Sequence, residues 1–352
     1  GCAGRFLGLV GFDKAMMMQN PFVQLAEIHR GPAVESIHHG IAVVMDSDGR
    51  QVLAMGDPAF ITFPRSSLKP YQAVALVETG AADALGLSEE YLALSCASHN
   101  AEDFQVALVR DWLGRMGLSE SALVCGPDMP RAAADQAQIY RAGGDRSRIY
   151  HNCSGKHCGF LSVAQKLGAP VAGYGDPAHP TQKLYLEILS ELLGRDARGL
   201  QAGVDGCGLP ALALSMEAMA SAAARWAARK VASPVRRTAI ERLQAAIAKY
   251  PDHLSGRDQA TSKIIRATNG RVLLKGGAEG FVVGFVPDQG LGIAVKLADG
   301  ASRGKMGVFA AILGRLGLLD AAATAALVQA VEGDIADSNG KPVGHIAVTL
   351  PA

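Results

Sequence analysis

The sequence predicts an α+β fold, with one antiparallel sheet built from both chain ends and a large helical insertion between them. Three observations carry this. Apolar and β-branched runs bounded by Gly and Asp turns occur near both ends, over residues 40–45 and 51–55 and again from 271 onward. The roughly two hundred residues between them carry apolar side chains at helical spacing. The chain has 352 residues and is 49% hydrophobic, which supplies a large core.

Taken in order, residues 35–56 read as a hairpin whose turn, Ser47-Asp48-Gly49, offers a positive-φ glycine. An extended run follows at 60–63. Ser88 caps a helix through Leu94, and Asn100 precedes a helix over 101–116. Further helices are predicted at 131–141, 156–167, 181–194, 211–229 and 235–249. The last has Ser233 as its cap and Pro234 in its first turn, where a missing N–H costs nothing. Strands return at 271–274, 280–286 and 291–297, helices at 301–317 and 320–331, and a closing strand at 345–350. The sheet part then covers about 20–65 and 270–352, the helical part about 66–269, within one domain over 20–352. Residues 1–19, opening on Gly1-Cys2 and including Met16-Met17-Met18, read as a disordered or vector-derived N-terminus.

Composition narrows the function. A formal net charge of +1 and no basic stripe argue against nucleic acid. No window reaches the roughly 18 apolar residues of a membrane span. The apolar stretch 6–12 is short and lacks a basic flank, so a signal peptide is not expected. Six cysteines are too sparse for a disulfide scaffold, and a cytoplasmic protein is the expectation.

Five segments could carry chemistry. In Arg65-Ser66-Ser67-Leu68-Lys69-Pro70, Ser66 and Lys69 share one helical face at a strand-to-helix junction, where backbone N–H groups without partners can face an oxyanion. A neutral lysine there needs its pKa brought from near 10.4 to about 7, roughly 4 kcal/mol. Alone, the pair is equally a capping serine and a solvated lysine. Ser95-Cys96-Ala97-Ser98-His99-Asn100 reads as helix capping or as a second hydroxyl. Leu274-Lys275-Gly276-Gly277 reads as a strand-ending turn or as a lysine beside backbone a ligand can approach. The order of the three follows the Ser-x-x-Lys, Ser-Asp-Asn and Lys-Thr-Gly elements of serine β-lactamases and penicillin-binding proteins, and suggests two pairs, Ser66–Lys69 and Ser98–Lys275. The remaining two are Asn152-Cys153-Ser154-Gly155-Lys156-His157-Cys158-Gly159 and Gly203-Val204-Asp205-Gly206-Cys207-Gly208-Leu209-Pro210. Their cysteines are either buried hydrophobes or, with His157, donors for a soft metal such as zinc.

Together these motifs closely resemble the L-asparaginase II family of the rhizobial, serine-lysine type, in order from about residue 20 to 351. The resemblance implies a serine-β-lactamase/glutaminase-like fold, a homodimer, and hydrolysis of L-asparagine to L-aspartate and ammonia through an acyl-enzyme. It implies Ser66 as nucleophile with Lys69 as its base, and Ser98 with Lys275 as the second pair. Arg65, His99, Asn100, Lys156, Asp205, Gly276 and Gly277 would line the substrate site, with Asp205 placed for the α-ammonium. No cofactor is required, but zinc on Cys153, Lys156 and Cys207 is an expectation of the same resemblance. Three departures concern the thiols and the site: 257–261 lacks the cysteine expected before the final strands, Asn100 replaces an expected serine, and Cys158 is an extra thiol. The rival expectations are a glutaminase, a penicillin-recognising serine hydrolase, or a non-catalytic relative that binds zinc or an amino acid.

Overall fold

The structure, a computed structural model, describes residues 20–351, so the reading of 1–19 lies outside the described residues. Strands β1 (Val23–Arg30), β2 (Ala33–Asp46) and β3 (Gln51–Met55) open the chain, and β4 (Ile61–Thr62) follows. The helical part begins with a single 3-10 turn over Arg65–Leu68. It continues through α1 (Lys69–Gln72), α2 (Val74–Glu78), α3 (Ala81–Ala84), α4 (Glu89–Ser95), α5 (Asp103–Arg115), α6 (Ala133–Arg141), α7 (Ser154–Lys166) and α8 (Pro180–Leu193). Short strands β5 (Ala202–Val204), β6 (Pro210–Leu212) and β7 (Leu214–Ser215) interrupt it before α9 (Met216–Ala227), α10 (Pro234–Lys249), α11 (Asp252–Ser255) and α12 (Ala260–Ala267). The chain ends with β8 (Leu273–Gly276), β9 (Phe281–Val286), β10 (Leu291–Leu297), α13 (Lys305–Arg315), α14 (Ala321–Glu332), β11 (Asp334–Ala336) and β12 (Pro342–Val348).

The main sheet is antiparallel and runs β11-β12-β1-β2-β10-β9-β8, with β3 also paired to β2. Both chain ends therefore build it, as the sequence predicts. Strands β9 and β10 are buried on both faces, which is why they read as unbroken apolar runs. Two glycines show what covers them. A Cβ on Gly292 would stand 2.0 Å from Ala220 O and 2.2 Å from Ala224 N, so α9 lies directly on that face through its alanines. A Cβ on Gly284 would meet the Phe309 ring at 2.4 Å, placing α13 on the other. Helices thus flank both faces, α9 from the insertion on one and α13 from the C-terminal part on the other.

Several elements differ from the sequence reading, among them α11, α12 and β11, which it lacks, and four of the differences have a clear local reason. Val23–Arg30 is a full strand, unread because its polar and half-buried side chains interrupt the apolar pattern, although β12 and β2 pair with it on either side. Helix α5 starts two residues later than predicted, capped by Glu102 in a capping box with Gln105 and not by Asn100. The predicted helix 211–229 begins as strands, because Ser215 is the residue that caps α9, accepting from Ala218 N. Helix α13 starts only after Gly304, whose φ of 80° breaks the predicted 301–317 run.

Candidate active site

Three elements meet at the site: the 3-10 turn Arg65–Leu68, the segment following α4, and the β8 end. Arg65 has φ of 53°, a left-handed conformation costing a non-glycine residue on the order of 1 kcal/mol or more. It turns the chain sharply from the extended run into the turn bearing Ser66. At the other side, Gly277 fits only as glycine, since a Cβ there would lie 2.4 Å from Pro64 O and 2.9 Å from Ser67 Oγ. Ser67 Oγ donates to Lys275 O at 2.9 Å and ties the turn to β8.

The two lysines converge on Ser98. Lys69 Nζ donates to Ser98 Oγ at 2.9 Å and to Ala97 O at 2.5 Å. Lys275 Nζ donates to the same Ser98 Oγ at 2.9 Å and to Gly276 O at 2.6 Å. Direct pairing of Ser66 with Lys69, read from their helical spacing, is not made: among the described residues the Ser66 hydroxyl has no hydrogen-bond partner within 3.5 Å. The reason is local. Lys69 opens α1 just after a 3-10 turn, and its buried side chain is drawn to Ala97 O and Ser98.

Burial dominates the electrostatics. It lowers the Lys69 pKa, with Lys156 adding to the effect and the Cys153 sulfur opposing it. It pushes Lys275 well below the usual lysine range, assisted by Lys69. Ser98 therefore joins two amines that are both poor at holding charge.

His99 and Asn100 stand behind this centre. His99 is buried, its Nε2 against Ser154 Oγ at 2.8 Å and its Nδ1 accepting from Ala101 N at 3.1 Å. Burial and Lys69 lower its pKa to about 3, so it is a neutral fastener between the Ser98 segment and α7. Asn100 lies beside Gly256, which has no room for a Cβ next to the Asn100 amide.

The thiols form an adjoining cluster. Cys153 caps α7, and Lys156, one turn on, places Nζ 2.8 Å from Cys207 Sγ. Cys153 Sγ donates to Asn152 Oδ1 at 3.0 Å, and Cys207 also acts on its thiol. The Cys207 contact, Lys69 and Lys156 hold the Cys153 thiol well below its usual pKa despite burial, and that charge pushes Cys207 up. Burial opposes a charge on Lys156, but the two sulfurs hold it above the usual lysine value. Asp205, two residues from Cys207, receives Arg65 Nε at 2.5 Å. Burial works against its ionisation, yet Arg65 and Lys156 keep it below the ordinary carboxylate range. Among the described residues no three His, Cys, Asp or Glu side chains form a metal-holding group. A metal here would have two thiolates, the soft donors that suit zinc, and the Lys156 amine only after that ammonium gave up the proton it now donates to Cys207. His157 sits away from it, its Nδ1 against Tyr174 OH at 2.5 Å.

Two backbone amides near these side chains are unspent. Gly277 N is spent on Phe281 O at 2.8 Å, whereas Ser66 N–H and Ala278 N–H donate to no described acceptor. One is in the Ser66 turn and the other follows Gly277, which packs against Pro64 and Ser67, and unspent donors of this kind suit a developing oxyanion. The donors at the Ser66 turn are expected from the strand-to-helix junction; the coordinates add which individual amides are unspent.

The sequence model of the L-asparaginase II family matches residues 26–348. The chain belongs to the L-asparaginase II family. It is an amidohydrolase of the asparaginase type, acting on a small-molecule substrate. No curated protein matches it. Among solved structures, Mglu is similar at 14% identity and a TM-score of 0.43, over 80% of this chain and 68% of that one. Another Mglu structure is covered over 61% of its length, so the chain spans about two thirds of these proteins. A β-lactamase from Mycobacterium bovis is similar at 14% identity and a TM-score of 0.35, over 78% of this chain and 94% of that one. A class C β-lactamase from Rhodobacter sphaeroides is similar at 17% identity and a TM-score of 0.38, over 76% and 92%.

Proposed function

We propose that this member of the L-asparaginase II family hydrolyses L-asparagine to L-aspartate and ammonia through an ester on Ser66. The observation that carries the reading is the Lys69–Ser98–Lys275 array, a hydroxyl held at 2.9 Å by each of two buried amines, of which Lys69 lies one turn of chain after Ser66. Burial makes either amine ready to be neutral and to take a proton.

Ser66 Oγ attacks the side-chain amide carbon of asparagine. Its proton passes to the array, with Ser98 as relay. The negative oxygen of the tetrahedral intermediate is held by Ser66 N–H and Ala278 N–H. The C–N bond then breaks as the array returns the proton to nitrogen, and ammonia leaves. Water adds to the ester by the reverse sequence, giving aspartate and free Ser66. Arg65 and Lys156 attract the α-carboxylate, and Asp205 holds the α-ammonium. Zinc, when bound by Cys153, Lys156 and Cys207, would supply a Lewis-acidic centre that helps to hold the substrate. Those residues otherwise shape the wall beside Arg65 and Asp205, and Lys156 keeps its charge on the sulfur pair.

A second reading has Ser98 as nucleophile, favoured by its contact with both lysines where Ser66 contacts neither. Coupled ammonia detection with asparagine and glutamine tests the substrate. Mass spectrometry of enzyme quenched during turnover tests the nucleophile: an aspartyl adduct on the peptide containing Ser66 supports the first reading, and one on Ser98 replaces it. No ammonia from asparagine, with or without added zinc, overturns the proposal.

A further inference from the structure

Lys305 is the least expected charge near the site. It is 8% exposed and opens α13, at the positive end of the helix dipole, where carboxylates belong. The acid in reach is already engaged. Glu332, from α14, accepts Gly304 N at 2.7 Å and Gly307 N at 2.6 Å, so it caps α13 with both oxygens. Lys296 of β10 faces the same region, its Nζ on Glu279 O and Leu297 O at 2.6 Å each. Lys275 of β8 also feels the Lys305 charge. Burial first, then Lys296, brings Lys305 down to about 8, while Glu332 opposes this. A side chain so placed costs stability, and it makes one hydrogen bond, from Nζ to Gly277 O at 3.3 Å.

We propose that Lys305 is a positioning residue for amide hydrolysis, holding the Gly277 carbonyl and thereby fixing the direction of the Ala278 N–H. The described chain has no cis peptide bond, so across the Gly277–Ala278 peptide the C=O and N–H point in opposite directions. A carbonyl fixed toward α13 leaves the amide facing away from α13, and that amide has no other partner. Gly277 itself is wedged against Pro64 and Ser67, so this peptide is set relative to the turn that carries Ser66. The ammonium touches neither substrate nor nucleophile; it acts through one peptide unit. The inference rests on the preceding reading that this peptide serves the oxyanion.

The test compares Lys305→Met and Lys305→Arg with the parent enzyme. Lys305→Met keeps the length of the side chain and removes its donor. We expect its kcat for asparagine to fall on the order of 10- to 100-fold with KM little changed, less than the 10²–10³ of a deleted oxyanion donor. Its melting temperature should stay level or rise, since a buried charge is gone, and Lys305→Arg should recover part of kcat. Hydrogen–deuterium exchange over residues 276–281 should quicken in Lys305→Met. Parental kcat in Lys305→Met, or a kcat loss that tracks a drop in melting temperature, overturns the role. If the parent enzyme itself releases no ammonia, the reaction assigned above fails, and the exchange arm alone decides Lys305: unchanged exchange in Lys305→Met rejects it.

Discussion

Lys69 donates to Ser98 Oγ at 2.9 Å, although Ser66 stands only one turn away in its own helix start. The hydroxyl of Ser98 is therefore the junction of the amine pair. Removing it strands two buried amines that lose a shared acceptor. Ser98→Ala should cut kcat by about 10²–10⁴, the usual range for a lost proton-transfer group, with the fold intact by circular dichroism. Ser66→Ala should remove turnover and adduct formation altogether. Adduct formation persisting in Ser66→Ala and vanishing in Ser98→Ala would exchange the two roles.

The pH dependence follows from Lys275. Its folded pKa lies well below 10.5, because burial and Lys69 disfavour the charge. Between that depressed value and about 10.5, the unfolded chain binds more protons than the folded one, so stability rises with pH across this window. Lys275→Met removes the buried cation. The variant should be at least as stable as the parent at pH 7, should show a shallower rise in alkali, since Lys69 and Lys305 still contribute in the same direction, and should be inactive. The parent's kcat should climb with pH along a limb set by the amines, well below the ordinary lysine value. Thermal melts at a series of pH values together with pH–rate profiles check this; a Lys275→Met melt curve as steep in alkali as the parent's would refute it.

The sheet was legible because its central strands are apolar on both faces and its turns carry Gly and Asp. The short strands β6 and β7 were not, since the alanine-rich run beyond Ser215 reads as helix in both directions. At the site, the residue types and their order pointed to segments that the structure brings together, with Ser98 in bonding distance of Lys69 and Lys275. Which hydroxyl each amine chooses was not legible, because three-residue spacing fixes a face and not a rotamer. Lys305 escaped, because a lone lysine after a glycine looks like surface, and that the free amide beyond Gly277 is Ala278's needed the hydrogen-bond pattern.

Arg65 and Asp205 tie the strained turn to the hairpin loop after β5 by a 2.5 Å contact, with side chains 27% and 14% exposed. Asp205→Asn keeps the shape but leaves the guanidinium a neutral acceptor. Losing one charge-assisted bond of this kind costs about 1.5–3 kcal/mol, discounted here because Arg65 is partly solvated. The melting temperature should drop modestly, and KM for asparagine should rise more than kcat falls, since the lost carboxylate is the one assigned to the α-ammonium. A variant with parental KM would remove Asp205 from substrate binding and leave it a hinge for Arg65.

Thiol reactivity separates the cysteine pair from the remaining sulfurs. Cys153 is held well below its ordinary pKa by its Cys207 contact and by Lys69 and Lys156, with Lys156 carrying the counter-charge. Burial pushes both Cys96 and Cys125 up to about 12 and raises Cys158 as well. At pH 7 thiolate therefore accumulates on the Cys153–Cys207 pair alone among these five. Limited alkylation with iodoacetamide, read by peptide mass spectrometry, should modify Cys153 first and leave Cys96 unlabelled. Added zinc should slow that labelling, because the same sulfur electrons would be committed to the ion. Cys207→Ser should weaken zinc retention, measured by calorimetry, by more than the roughly 10- to 100-fold typical of a lost outer contact. Labelling at Cys96 or Cys125 ahead of Cys153, or protection by zinc that survives Cys207→Ser, would mean that the charge sits elsewhere than this pair.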